Sequence, residues 1–325
     1  MSSPQVELQV DHDVCFRHEV LEGFEKDIED IATDKDKKDL LMSIQSFAFH
    51  FIKEPWKRPP ADAEAVQQGL DVLWQLFLKA GTAIDSNSPF QDRLVLLLLW
   101  TKQFDVFHKD MHNARESADD WESYGFAKSL QASWEQLVVT GTTAQLCNLA
   151  TFSAKTLSAG ICPDQMCSTA LWYLREVLEI NDEARTTRLL PGAVVWMDLG
   201  RHALLKNCVS DEGDGQSKLY LLNAGPLAQD GGANVPGFSL KRWLFWRRRF
   251  QKLSHHADLS ISDVARKGFM AMINCGRDLD YDILGEGRFA QKLQETMWAE
   301  LVKSGKESLD GDEIDIDPDW VDEQY

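Results

Sequence analysis

Apolar residues recur at intervals of three and four along almost the whole chain, the pattern of helices that bury one stripe. Between residues 62 and 80, for example, Val66, Leu70, Leu73, Trp74 and Phe77 fall on one face. The same reading predicts helices near 12–30, 36–53, 62–80, 89–113, 118–139, 142–159, 163–179, 191–209, 239–255, 260–275 and 286–304. Punctuation agrees with these spans. Pro59-Pro60 precedes one helix, Gly160 follows another, and Pro163 and Pro191 fit the first turns of two more, where a missing N–H is harmless. Alternation of period two is confined to Lys218–Asn223, a candidate short strand. The stretch from Ser210 to Gly237 holds six glycines and two prolines. It reads either as a flexible surface loop or as a linker, and a loop is favoured because the three helices after it are too few to bury their own aromatics. The expected fold is all-α: a single globular multi-helix domain of about eleven helices over 1–305, with an irregular Gly-rich loop at 210–237 and an acidic C-terminal tail at 306–325.

Two of these helices carry chemistry worth weighing. In Gly237–Phe250, Ser239 suits an N-cap, with Phe238 before it and Trp243 after it placed to close a hydrophobic staple. Trp243, Trp246, Phe250 and Leu253 share one face. Lys241, Arg242, Arg248 and Arg249 lie mostly elsewhere around the helix, and Arg247 lies beside the stripe. That arrangement gives either a solvated basic face on a core helix or a cationic surface for an acidic partner. The helix from Pro191 to Cys208 is apolar nearly all round, so it should be central. It nevertheless contains Trp196, Asp198, Arg201 and His202. Ionisable groups buried without partners are costly, so these three should pair with one another or reach a cavity.

Other spacings fail as sites. His108 and His112 are four apart, but the sequence between them lacks the adjacent Glu of a zinc-protease helix and no third ligand is evident. Asp278, Asp280 and Asp282 alternate like calcium-loop ligands, yet Ile283 and Phe289 stand where that loop needs Gly and Glu. Gly285, Gly287 and Ala290 match the dinucleotide fingerprint without a preceding strand. No metal and no cofactor is therefore expected, and no catalytic residue is indicated.

Charge narrows the partners. The chain of 325 residues carries 34 Lys and Arg against 52 Asp and Glu, a formal charge of −18. Such a balance argues against nucleic acid and anionic lipid as partners. The longest apolar run, Leu94 to Trp100, is too short to span a bilayer, and the N-terminus lacks a signal-peptide pattern. The six cysteines are scattered without a CxxC, which fits reduced thiols and a cytosolic or nuclear protein. In the tail, Ile314, Ile316, Trp320, Val321 and Tyr325 punctuate the acids. The tail is therefore itself a candidate ligand for the basic helix.

Three stretches taken together, NLATFSAKT at Asn148–Thr156, LPGAVVWMDLGR at Leu190–Arg201 and GFSLKRWLFWRRRF at Gly237–Phe250, resemble a fungal family catalogued only as a domain of unknown function. The resemblance covers residues 10 to 305 and implies an all-α fold and a fungal source. It carries over no catalytic residues. Two functions stay open: a non-catalytic interaction or regulatory protein, or a small-molecule binder or cofactor-free enzyme with a pocket near Trp196, Asp198, Arg201 and His202. The missing motifs, the acidic tail and the basic helix favour the first.

Overall fold

A computed structural model describes residues 19–28, 31–57, 63–111, 125–210, 222–281, 283, 286–306 and 308. The helices run α1 (19–28), α2 (Asp34–Lys57), α3 (Ala63–Ala83), α4 (Pro89–Met111), α5 (Phe126–Thr140) and α6 (Thr143–Ser158). They continue as α7 (Pro163–Leu178), α8 (Glu183–Val209), α9 (Pro226–Asp230), α10 (Leu240–Ser254), α11 (Leu259–Asp278) and α12 (Glu286–Ser304). Among the described residues there is no strand, and none of the described helices is long and apolar enough to cross a membrane. Of the candidate strand Lys218–Asn223, only Leu222 and Asn223 are described. The tail beyond Ser308, His112, Asp282 and Cys15 lie outside the described residues.

Local chemistry sets the helix starts. Thr142 and Gln145 form a capping box at α6, with the Thr142 N–H donating to Gln145 Oε1 at 2.9 Å and the Gln145 N–H donating to Thr142 Oγ1 at 3.3 Å. Ser239 caps α10 as expected, its hydroxyl accepting from the Arg242 N–H at 3.2 Å. The start of α8 departs from expectation. Asp182 is its N-cap, accepting from the Arg185 N–H at 3.0 Å, so Pro191 lies inside the helix rather than in its first turn. An internal proline removes one helical hydrogen bond and crowds the preceding turn. Packing holds this one in place: the Tyr173 hydroxyl donates to the Leu189 carbonyl at 2.9 Å, and Gly192 lets Tyr173 approach the backbone.

The core is continuous from Phe24 to Ile283. Its centre is α8, which packs against α6, α7, α10 and α11, as its apolar composition predicts. Helix α3 joins α2, α4, α5 and α6 into the other half. Trp74, Trp134, Trp196, Trp243 and Trp246 are fully buried, and Trp134 lies 4.5 Å from Tyr173 and 6.3 Å from Trp196 between ring centroids. Helices α10 and α11 belong to this same core. The described part of the 210–237 stretch contains α9 and is tied to the end of α7.

Candidate functional site

That tie is the most developed polar constellation among the described residues. Glu179 closes the C-terminus of α7 and is completely buried. Its Oε1 accepts from Arg242 Nε at 2.6 Å and from Trp246 Nε1 at 2.7 Å. Its Oε2 accepts from the Gly225 N–H at 2.6 Å and from Arg242 Nη2 at 3.0 Å. Arg242, also fully buried, spends its remaining donors on the carbonyls of Leu222 and Gly237, at 2.8 and 2.9 Å, and of Asn223 at 3.1 Å. Gly225 is required here, since a Cβ would fall 2.7 Å from that of Glu179. Every lone pair and proton that burial strips of water is thus replaced, which is what makes a buried ion pair tolerable. The constellation offers no free group to a substrate. It pins the 222–239 segment against α7 and α10.

The five candidate cations of α10 therefore do not form one surface. Arg242 and Arg247 are buried, Arg249 is half-buried, and Lys241 and Arg248 are exposed, as is the sixth cation of the helix, Lys252. Burial also pulls the Arg249 guanidinium below its ordinary pKa. A signal for this existed in the sequence. Arg242 stands four residues before Trp246, and Arg247 stands between Trp243 and Phe250 at spacings of four and three, all positions on the buried side.

The charged trio of α8 pairs within itself through Arg201 and Asp198, but it lies at the surface rather than in the centre of the helix packing. Trp196 is buried. Asp198 turns outward, its side chain 66% exposed and 3.5 Å from Arg201, and His202 is half exposed. The stronger partner is Asp278 on α11, whose Oδ2 lies 2.9 Å from Arg201 Nη2 and 3.5 Å from His202 Nε2. The hydrogen bond from Arg201 lowers the Asp278 pKa against an opposing desolvation, and the hydrogen bond from His202 adds a smaller lowering. The group fastens α8 to α11 at the surface.

Buried thiols are equally unsuited to nucleophilic work. Burial pushes Cys167 up to about 12 and Cys208 higher still, and Cys147, Cys162 and Cys275 are also free thiols. Two surface features stand out among the described residues. One is a groove of about 600 Å³ between α11 and α12, lined by Met270, Ile273, Arg277, Asp280, Tyr281 and Leu293 among others. The second is an aromatic face on α4 and α2. Leu96, Phe107 and Met111 of α4 are 63%, 56% and 65% exposed, and Met42 and Phe49 of α2 are 56% and 42% exposed. Between them Trp100 stacks on Phe104 at 5.2 Å, and Phe49 meets both edge-on at 5.0 and 4.9 Å.

Residues 74–250 match the family described as Protein of unknown function (DUF3632). The chain belongs to this family. The DUF3632 match runs from α3 to α10, so it takes in Glu179, Arg242, Trp246 and the whole aromatic face of α4. Helices α2, α11 and α12 lie outside it, and with them the groove and Asp278. A relative from Penicillium oxalicum, called Oxopyrrolidines biosynthesis cluster protein G, is 26% identical over 69% of this chain and 71% of its own length. No solved structure matches the chain. Glu179 and the α4 face escaped the sequence reading, and Asp278 entered it only as a rejected calcium-loop position. For the two carboxylates no local signal marks the partner. For the face, residues 96, 100, 104, 107 and 111 recur at helical spacing, as a buried stripe would.

Proposed function

We propose that this DUF3632 protein works by binding another protein surface, as a non-catalytic interaction or regulatory component of the cytoplasm. The observation that carries this reading is the aromatic face of α4 and α2. Large exposed apolar patches are rare on proteins that function alone, and they mark contact surfaces. Rigid, pre-stacked aromatic rings make strong anchors because little freedom remains to be lost on binding. The remainder of the chain supports the same reading. The conspicuous ionisable groups, Glu179, Arg242, Arg201 and Asp278, are engaged in holding helices together. Lys241, Arg248 and Lys252 are exposed on α10, where an acidic partner, the protein's own acidic tail among the candidates, would meet them. The test is co-purification from the source cells. Proteins retained by the parent should be lost by the variant carrying Leu96→Glu and Phe107→Glu, and equal retention by both would refute the reading.

A second reading rests on the α11–α12 groove. The Penicillium relative is named for an oxopyrrolidine biosynthesis cluster, and the groove combines apolar walls with Arg277 and Asp280. In this reading the chain binds a small, mixed polar and apolar molecule there. Native mass spectrometry with 2-pyrrolidinone derivatives decides it: binding that Leu293→Trp abolishes supports the reading, and no adduct at millimolar ligand counts against it.

A further inference from the structure

Helix α4 has two apolar faces. Leu94, Leu98 and Thr101 point into the core. At about 100° per residue, Leu96, Trp100, Phe104, Phe107 and Met111 share a second side, at spacings of 4, 4, 3 and 4, with Trp100 and Phe104 partly buried along its edge toward α2. A straight ridge of that periodicity is shaped to interlock with the ridge of a facing helix. Helix α2 widens it with Met42 and Phe49.

The charge distribution points to the facing surface. The chain carries −18, so two copies that meet through acid-bearing surfaces repel. On the outer side of α4 no carboxylate lies between Asp92 and Asp110, because Asp105 is turned inward and bridged to Lys109 at 2.9 Å. On α2 the residues from Leu40 to Ile52 include no Asp, Glu, Lys or Arg. The one cation on this side of α4, Arg93 at its N-terminal end, lies over the Phe90 ring at 4.5 Å, so the ridge from Leu96 to Met111 is a nearly neutral window on an acidic molecule. It offers no charge pattern to select a foreign partner, and the surface that matches it in periodicity, apolarity and neutrality is the face itself. Its exposed side chains present on the order of 600 Å² of apolar area, near the roughly 800 Å² per partner of a standard interface.

We propose that α4 and α2 pair with the same helices of a second copy of this chain, forming a two-fold symmetric dimer. The proposal rests on the reading of this face as a contact surface and names its occupant. Sedimentation velocity of the purified full chain between about 1 and 100 µM tests it. A dimer is expected, with a dissociation constant raised at least about tenfold by Leu96→Glu with Phe107→Glu, and also by Met42→Glu. Because these side chains are exposed, the variants should melt as the parent does, and circular dichroism checks that they fold. Raising salt from about 0.05 to 0.5 M should tighten the dimer, since screening weakens repulsion between the copies. A parent that stays monomeric to 100 µM overturns the proposal, as does a dimer indifferent to all three substitutions. If the parent is monomeric while co-purification still depends on the face, self-pairing alone fails. If neither depends on it, the contact-surface reading fails as well.

Discussion

Glu179 shows how much a single buried carboxylate asks of its surroundings. With Arg242, Trp246 and the Gly225 N–H in place, its charge is matched from several directions. Removing one partner leaves the other charge buried and uncompensated, a loss of about 3–5 kcal/mol in comparable pairs. We expect Arg242→Met and Glu179→Gln each to destabilise by that order in urea titrations. The double variant should cost clearly less than the two together, because neither charge is then stranded. Strict additivity would show that the pair is not coupled. The tryptophans allow a sharper comparison. Trp246 donates to Glu179, whereas Trp196 is buried with no hydrogen-bond partner for its Nε1 among the described residues. Trp→Phe removes similar apolar area at both sites. At 246 it also strips a donor from a buried carboxylate, about 1–3 kcal/mol more. Trp246→Phe should therefore be the more destabilising of the two, and the reverse order would contradict the hydrogen-bond account.

At the scale of helices, periodicity made most elements legible, because each buries one stripe against a common core. What the pattern cannot report is a partner distant in sequence. Glu179 and Arg242 are 63 positions apart and Arg201 and Asp278 are 77 apart, so the α10 cations look solvent-facing and the α8 trio looks self-contained until the helices are assembled. The α4 face misleads in the opposite way, since an exposed apolar stripe and a buried one have the same spacing. Helix α8 failed at its start because a proline is a better marker of first turns than of interiors, and here packing overrides it. Tyr173 and Gly192 sit where that override occurs. A Cβ at 192 would collide with the Tyr173 hydroxyl and lie 3.1 Å from its Cζ, so Gly192→Ala should destabilise by about 1–3 kcal/mol. Tyr173→Phe should recover part of that loss in the double variant, because it deletes the nearest colliding atom while keeping the ring. Thermal melts of the four proteins decide it: no recovery would mean that strain at residue 192 arises elsewhere.

For the molecule as a whole, acidity sets how stability follows pH. A net charge of −18 with an isoelectric point near 4.8 means that carboxylates repel one another across the surface at neutrality. Lowering the pH toward 5 relieves that repulsion, so the melting temperature should rise from pH 8 to about pH 5–6. Below this range the specific contacts of carboxylates begin to fail, and Asp278 reports one of them. The bond from Arg201 holds its folded pKa below the ordinary 3.8. A carboxyl whose folded pKa lies under its unfolded one stabilises the fold fully above the unfolded value, and the contribution is lost as pH falls through the folded value. Asp278→Asn should therefore lower the melting temperature at pH 7 by a modest amount, as expected of a solvent-screened pair. The gap between parent and variant should narrow below about pH 4 and close as the pH falls through the lowered folded value, where the parent carboxyl becomes neutral. A gap that stays constant from pH 7 to pH 2 would show that the substitution acts through packing of α8 on α11. A gap that widens on acidification would reverse the sign of the linkage and remove Asp278 from the account of acid stability.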